Sequence, residues 1–278
     1  MRKTYYIEGV GMVLIIGEKI NSTLSEIAKA IEAKDKDYIQ ELAKSQVDAG
    51  ATMLDVNAGT REEAEASDME WLVRTVQEVV DVPLCIDSPD PDVIETALKV
   101  HRGKALVNSV TAEKERLDNI LPLVKKYECS VIGLAHGKEG IPTDVEGRVN
   151  AAKSLVEVAI QDYGIAVDDI YIDALVLPLS VDYKQGLVCL DTIRMIKESI
   201  PNIKTIIAIS NISYGLPNRS PINRLFMSLA MHSGLDAAII NPLDEKLMTE
   251  IRLAKLLLGK DEDCIGYLRA HRKGLLSF

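Results

Sequence analysis

Residues 84–134 read LCIDSPDPDVIETALKVHRGKALVNSVTAEKERLDNILPLVKKYECSVIGL, and short apolar runs alternate here with longer amphipathic segments. The apolar runs are typical of buried β-strands and the amphipathic segments have helical periodicity. The runs cover residues 84–86, 105–107 and 131–134, and the helical segments cover residues 91–100 and 116–127. A strand, a helix and a further strand in this order predict consecutive parallel βα units.

The same alternation continues along most of the chain. Eight apolar runs predict strands at residues 13–16, 52–56, 84–86, 105–107, 131–134, 170–172, 205–209 and 237–240. Amphipathic segments predict helices at residues 37–49, 69–79, 91–100, 116–127, 148–163, 187–199, 221–232 and 245–258. Eight units without a linker predict an α/β fold of the closed (β/α)8 barrel type. A doubly wound parallel sheet is the alternative.

One domain is expected at residues 12–278, because barrels of about 250 residues form a single domain. Residues 1–11 are less patterned and are expected to be an N-terminal extension or leader, or a tether that packs on the barrel floor.

Several helix ends carry recognisable capping residues. Asp90 and Ser220 each precede a proline and are predicted to cap the following helix. Gly50, Gly164 and Gly234 are predicted to close helices in the left-handed conformation.

Net charge, the length of the apolar runs and the cysteine spacing exclude several classes of protein. The formal net charge of −10 argues against a nucleic-acid or anionic-membrane surface, since phosphate binding needs clustered cations. No apolar run approaches the roughly 20 residues that span a bilayer. The isolated Cys85, Cys129, Cys189 and Cys264 lack the spacing of a zinc or redox site, so we expect reduced thiols, no metal and a cytoplasmic protein.

Polar residues follow most of the predicted strands. They are Glu18, Asn21, Asp55, Asn57, Asp87, Ser88, Asn108, Ser109, Asp173, Ser210, Asn211 and Asn241. In a (β/α)8 barrel the carboxyl ends of the strands meet at one mouth, where the chemistry takes place. Lys and Arg are missing from this set, and His136 is its nearest histidine.

Carboxylates and carboxamides suit a flat heterocycle with N–H donors beside a carbonyl acceptor, such as a pterin. A phosphate ligand would instead need glycine-rich turns and cations. Helix capping is an equally open interpretation of Asp55, Asn57, Ser88 and Asn241. It explains less well why Asp87, Asn108, Asp173 and Asn211 all converge on one mouth.

Ordered segments of the chain resemble a known family. They read IIGEKIN at residues 15–21, LDVNAG at 54–59, IDS at 86–88, VNSVTAE at 107–113, YIDALVLP at 171–178, ISNISYGLPNR at 209–219 and INR at 222–224. The set resembles the pterin-binding methyltransferases, which include methyltetrahydrofolate:corrinoid/iron–sulfur protein methyltransferase and the folate domain of cobalamin-dependent methionine synthase. The likeness extends over residues 12–258.

The resemblance implies a dihydropteroate-synthase-like TIM barrel and assigns roles to single residues. Asp87 and Asn108 would hold the pterin edge, and Asp173 would bind its amino and N3 side. Asn211 would lie near N5, the atom that carries the methyl group, and would be the catalytic residue. Ser210 and Arg219 would belong to the same folate site. The His136 segment and the turn at residues 214–217 depart from the family.

The resemblance also implies a reaction and its partners. The chain would move a methyl group between (methyl)tetrahydrofolate and the cobalt of a corrinoid, in a direction that the sequence leaves open. No histidine has the corrinoid-binding pattern Asp-x-His-x-x-Gly, so a partner protein would supply the corrinoid. A homodimer is expected. The alternatives are a dihydropteroate synthase and a non-catalytic folate-binding scaffold.

Overall fold

A computed structural model describes residues 13–59, 62–137 and 140–278 of the chain. Its eight strands are all parallel and close into a barrel in sequence order, with β8 paired to β1. The strands are β1 (Leu14–Asn21), β2 (Met53–Asn57), β3 (Leu84–Asp87), β4 (Leu106–Val110), β5 (Ser130–Leu134), β6 (Ile170–Asp173), β7 (Lys204–Ala208) and β8 (Ala237–Ile240). The predicted TIM barrel is confirmed, and the doubly wound sheet was the wrong alternative.

Helices surround this barrel. They are α1 (Ser25–Glu32), α2 (Lys36–Asp48), α3 (Glu62–Gln77), α4 (Pro91–Val100), α5 (Lys114–Lys126), α6 (Val145–Gln161), α7 (Gln185–Ser199), α8 (Arg219–His232), α9 (Glu245–Leu257) and α10 (Ile265–Arg272). The sequence prediction missed α1 and α10, and it began α3 seven residues too late. Helix α1 buries Ile27, Ala30 and Ile31 on one face, so the helical pattern was present there.

Two apolar layers hold the barrel together. The larger layer lies between the strands and the helices, where side chains from both pack together. A smaller one fills the barrel interior with side chains from the strands, as is usual for this fold. Its members are Ile16, Met53, Cys85, Leu106, Ile132, Ile206 and Ala237, with Leu14, Leu134, Tyr171 and Ile239 packed against them. These side chains therefore fill this part of the barrel interior, and the carboxyl ends of the strands lie above it.

Most predicted helix ends agree with the structure, and one does not. The Asp90 carboxylate accepts the backbone N–H of Asp92 at 2.8 Å, as expected of an N-cap. The glycines that follow α2, α6 and α8 have positive φ values, namely Gly50 at 114°, Gly164 at 64° and Gly234 at 104°. The assignment of Ser220 as a cap was wrong, because α8 begins at Arg219 and Asn218 precedes it.

Strand β1 is longer than predicted, because it continues through Glu18 to Asn21. Both residues therefore lie within the strand rather than beyond it. The expected extension at residues 1–11 falls outside the described residues, and the single domain at residues 12–278 stays a prediction. Across the described ranges, every helix is too short or too polar to cross a membrane.

Candidate functional site

A ring of polar side chains lies directly above the apolar side chains that fill the barrel interior. Successive side chains of a strand point to opposite faces, so a residue two positions beyond an interior residue also faces the interior. By this rule Glu18 follows Ile16, Asp55 follows Met53, Asp87 follows Cys85, Asn108 follows Leu106, and Asp173 follows Tyr171. The barrel thus gathers three predicted pterin-site residues, Asp87, Asn108 and Asp173, at one mouth.

Asp87 is held in place by Asn57 of the neighbouring strand. The Asn57 Nδ2 group donates to the Asp87 carboxylate and to the Asp87 carbonyl, both at 3.2 Å. Asn57 Oδ1 in turn accepts from the Ser22 hydroxyl at 2.7 Å and from the Gly59 N–H at 3.0 Å. Asn57 therefore acts on Asp87 rather than as a helix cap. Its amide orientation is fixed from both sides.

Arg116 of α5 lies behind Asp87 and binds the loops around it. Its guanidinium donates to the carbonyls of Ser88 at 3.2 Å and Ser109 at 2.9 Å, and also to the carbonyl of Pro89. Burial raises the pKa of the Asp87 carboxyl; the hydrogen bond from Asn57 and the charge of Arg116 partly offset this.

Asp55 and Asn108 lie at the floor of the site. The Asn108 amide donates to the Asp55 carboxylate at 3.4 Å, and Asn108 pairs in register with Asp87. Burial and then the charge of Asp87 raise the pKa of Asp55, while hydrogen bonds from Cys85 and Asn108 lower it. Asp55 is only 3% exposed, so it belongs to the site floor and not to a helix cap.

Asp173 ends β6 and faces the opposite side of the mouth. Its Oδ1 accepts the backbone N–H of Leu175 at 2.8 Å. Burial raises the pKa of Asp173 to about 6, against the effects of this hydrogen bond and of the nearby Arg148 charge. A ligand N–H group would favour the ionised form of this carboxyl, because it would supply a further hydrogen bond.

The turn after β7 carries Asn211 and Ser210. A short 3-10 helix, Ile209–Ser213, exposes the Asn211 side chain, which makes no hydrogen bond within the described part of the chain. Arg219 fixes the turn by donating to the Ser210 carbonyl at 2.6 Å and to the Ser213 hydroxyl at 3.0 Å. Burial raises the pKa of the Glu18 carboxyl, and the Ser210 hydroxyl is among the groups that lower it, so this turn lies next to β1.

Other polar strand ends serve turns. Asn241 Oδ1 accepts the Leu243 N–H at 3.1 Å, and Asn21 Oδ1 accepts the Thr23 N–H at 3.0 Å. The Ser88 hydroxyl accepts the Asp90 N–H at 3.1 Å, in the turn that leads into α4. The buried Nδ1 of His136 has no hydrogen-bond partner among residues 13–59, 62–137 and 140–278.

The site is an acidic and amide-rich mouth with one exposed carboxamide at its rim. It can accept several N–H hydrogen bonds from a flat ring and present Asn211 to an atom at the edge of that ring. Within the described ranges, no cluster of His, Cys, Asp and Glu side chains could hold a metal ion. Sequence reasoning missed Arg116 and Arg148, whose side chains reach the site from helices.

Comparisons with known proteins agree with this geometry. The family model described as pterin binding enzyme matches residues 17–241. The methylcorrinoid:tetrahydrofolate methyltransferase of Eubacterium limosum is 38% identical over 94% of this chain and 97% of its own length. The methionine synthase of Mycobacterium leprae is 29% identical over 92% of this chain, which spans 22% of that larger protein.

A solved structure, that of Mycobacterium tuberculosis Rv1207, superposes with a TM-score of 0.62. The superposition covers 90% of this chain and 94% of the solved one at 16% identity, so it bears on the fold alone. The family match and the similarity to the Eubacterium limosum protein extend over the whole polar mouth. The chain therefore belongs to the pterin-binding enzyme family, together with the methylcorrinoid:tetrahydrofolate methyltransferase of that organism.

Proposed function

We propose that this chain transfers a methyl group from a corrinoid on a partner protein to N5 of tetrahydrofolate. The observation that carries the proposal is the mouth itself, where Asp87, Asn108 and Asp173 face the interior near an exposed Asn211. The name of the Eubacterium limosum relative supports both the reactants and the direction. The pocket residues would serve the reverse reaction as well.

The ring of the folate would be held by the interior carboxylates. A pterin presents an amino group and ring N–H groups beside a carbonyl, and it needs acceptors on one side and a donor on the other. Asp87 and Asp173 supply the acceptors, and the Asn108 amide can both donate and accept. The ligand N–H groups would replace the water that burial removes from these carboxylates.

Asn211 would face N5. When N5 takes up the methyl group its proton must leave, and in the reverse direction N5 needs a proton or a strong hydrogen bond before it can leave. A carboxamide can accept from an N–H through its oxygen and can turn to donate through its nitrogen. Asn211 can therefore follow the charge on N5 without titrating itself.

The corrinoid would come with another protein. None of the four histidines has an aspartate two residues before it, and His101 already accepts the Leu84 N–H through Nε2 at 3.0 Å. The corrinoid supplies the cobalt that carries the methyl group in the other half of the exchange. This chain would contribute the folate site, the orientation of N5 and the docking rim.

A dihydropteroate synthase would need a cationic site for the departing pyrophosphate. The turn at residues 209–219 contains one cation, Arg219, whose guanidinium is engaged by Ser210 and Ser213. A pyrophosphate ligand would have to displace these bonds. The turn therefore favours methyl transfer over the synthase reaction.

The test is an anaerobic absorbance assay with free methylcobalamin and tetrahydrofolate. We expect protein-dependent loss of the methylcobalamin bands and formation of cob(I)alamin and methyltetrahydrofolate. Tight folate binding without methyl exchange in either direction would contradict the proposal and support a folate-binding scaffold. Consumption of a pterin pyrophosphate with p-aminobenzoate would instead establish the synthase.

A homodimer in the cytoplasm completes the proposal. The neighbouring helices α7 and α8 expose apolar side chains, with Leu187 and Leu225 each 65% exposed, Leu229 44% and Met195 36%. Such a face is typical of a contact between protein chains. All four cysteines are free thiols, in keeping with a reducing compartment.

A further inference from the structure

Arg148 is a buried cation without an ion-pair partner. It lies in the first turn of α6 and its side chain is fully buried. Within the described ranges, no carboxylate oxygen lies within ion-pair distance of its guanidinium. Burying an arginine without an acidic partner is costly, so its position calls for a compensating role.

The guanidinium is satisfied by the loops at the barrel mouth. Nε donates to the Pro142 carbonyl at 2.9 Å. Nη1 donates to the carbonyls of Ala174 at 3.1 Å and Leu175 at 2.7 Å, and Nη2 donates to the Gln185 side chain at 2.6 Å. One side chain thus joins the segment before α6, the end of β6 and the start of α7.

Leu175 connects this cluster to the site. Its backbone is left-handed, with φ of 59°, which is unfavourable for a leucine unless its surroundings hold it there. Its carbonyl accepts from Arg148, and its N–H donates to the Asp173 carboxylate at 2.8 Å. Arg148 therefore fixes the residue that in turn fixes Asp173.

We propose that Arg148 is a positioning residue for pterin recognition. It orients Asp173 through the backbone of Ala174 and Leu175, and its charge stabilises the ionised carboxylate without touching the substrate. The inference rests on the proposed function, because that function makes the pterin the ligand of Asp173. It adds a residue from outside the barrel interior to the folate site.

The other groups near Asp173 do not supply this charge. Cys189 of α7 also faces Asp173, but burial raises its pKa to about 12, so the thiol stays neutral. Burial raises the pKa of Asp173, and among the described residues the charge that lowers it is that of Arg148. Replacing Arg148 by a neutral residue should therefore make Asp173 take up its proton at higher pH.

The test measures methyltetrahydrofolate affinity by calorimetry from pH 5 to pH 9 in the wild type and in Arg148→Gln and Arg148→Lys. Wild-type affinity should fall as pH drops through the region where Asp173 takes up its proton. Arg148→Gln should shift this midpoint upward by about one pH unit, so that its affinity falls about tenfold between pH 8 and pH 6, against about twofold for the wild type. Asp173→Asn should lack this pH-dependent limb.

Arg148→Lys separates charge from geometry. Lysine keeps the charge but cannot make the forked bonds to Ala174 and Leu175, so it should keep the wild-type midpoint and lose affinity about tenfold at every pH. Arg252→Gln is the matched control, because Arg252 also donates to a backbone carbonyl, that of Leu275 at 3.0 Å, far from the mouth. Its affinity and midpoint should equal those of the wild type.

A purely structural role gives a different result. An Arg148→Gln variant that weakens binding equally at every pH, with an unchanged midpoint, would overturn the inference. If that variant does not fold, Arg148→Lys decides alone, and wild-type affinity in it would overturn the inference. Failure of the wild type to bind methyltetrahydrofolate at all would instead reject the proposed function.

Discussion

The carboxyl groups at the mouth are buried, which makes their ionised form unfavourable in the absence of a ligand. Burial raises the pKa of Glu18, Asp55, Asp87 and Asp173, which means that each ionised form is destabilised relative to water. A polar ring of this kind weakens the free protein. Ligand N–H groups would remove much of that penalty, so binding energy and folding energy are coupled at these four positions.

Asp173→Asn should make the free protein more stable at neutral pH. The raised pKa of Asp173, about 6, means that its contribution to stability is complete below the unfolded pKa and is lost as pH rises towards 6. Above that pH, the asparagine variant should gain on the order of 1–3 kcal/mol in the free energy of unfolding. Urea unfolding at pH 4.5 and pH 8 measures this.

The gain in the free energy of unfolding of Asp173→Asn over the wild type should be small at pH 4.5 and large at pH 8. Asp81→Asn is the control, since Asp81 is exposed on the loop before β3. A stability difference between Asp173→Asn and the wild type that does not change with pH would contradict the burial of an ionisable group at this position.

Asn211→Ala should separate binding from chemistry. The Asn211 side chain supports none of the described fold through a hydrogen bond, so its loss should leave thermal stability and most folate affinity unchanged. The rate of methyl transfer should fall on the order of 10²-fold, as is typical when a donor to a developing charge is removed. Stopped-flow absorbance with methylcobalamin measures the rate.

Asn119→Ala is the matched control for this experiment, because Asn119 is exposed on α5. Its transfer rate should equal that of the wild type. A wild-type rate in Asn211→Ala would remove Asn211 from the mechanism, whatever its effect on binding.

The sequence alone predicts the site residues at the ends of the strands, but not the residues that hold them in place. Asp87, Asn108 and Asp173 were predictable because each follows an apolar run, and period-two alternation also places Glu18 and Asp55 in the interior. Arg148 was not predictable, since its role depends on carbonyls that lie 26 and 27 residues later in the sequence. Such contacts exist only once the barrel has closed.

At the scale of elements, the repeat of βα units explains which strands and helices the sequence predicts and which helices it misses. The eight strands were predictable from apolar runs, since parallel strands buried on both faces read as continuous hydrophobic segments. Helix α10 was missed because it follows the eighth βα unit and therefore lies outside the repeat from which the helices were predicted; Ala270 is its one buried residue. Residues that make few contacts with the core leave little trace in the sequence.

The packing of β5 against α6 depends on Gly133. A Cβ atom added there would lie 2.6 Å from Leu155 Cδ2, and Leu155 is fully buried. Gly133→Ala should therefore lower the free energy of unfolding by about 1–3 kcal/mol, as overpacked cores do. Urea unfolding is the measurement.

Gly186→Ala is the matched control, because a Cβ atom at that position of α7 would meet ordinary contacts at 3.4 Å and beyond. Its stability should be equal to or slightly above that of the wild type, since alanine favours helix. Equal stability of both variants would contradict the close approach of β5 to α6.

At the scale of the whole molecule, the proposed homodimer rests on the exposed apolar side chains of α7 and α8. Leu187 of α7 and Leu225 of α8 are each 65% exposed, and Leu229 of α8 is 44% exposed. Leu229→Glu should place a charge in the proposed dimer contact and convert the dimer to a monomer, as measured by light scattering after size exclusion. A monomeric wild type would contradict the proposed dimer directly.

Leu257→Glu is the control for the dimer experiment, because Leu257 is 84% exposed at the end of α9 and lies outside the proposed contact. Its molar mass in solution should match the wild type. Equal dissociation in both variants would indicate that the added charge acts generally, and the α7–α8 face would then lose its support.

The central claim is that the interior polar ring of this barrel binds the pterin of a folate. A crystal structure of the protein with bound methyltetrahydrofolate tests it most directly. The claim predicts hydrogen bonds from the pterin edge to Asp87, Asn108 and Asp173, with N5 facing the Asn211 side chain. A folate bound elsewhere, with these four side chains free of contacts to it, would contradict the claim.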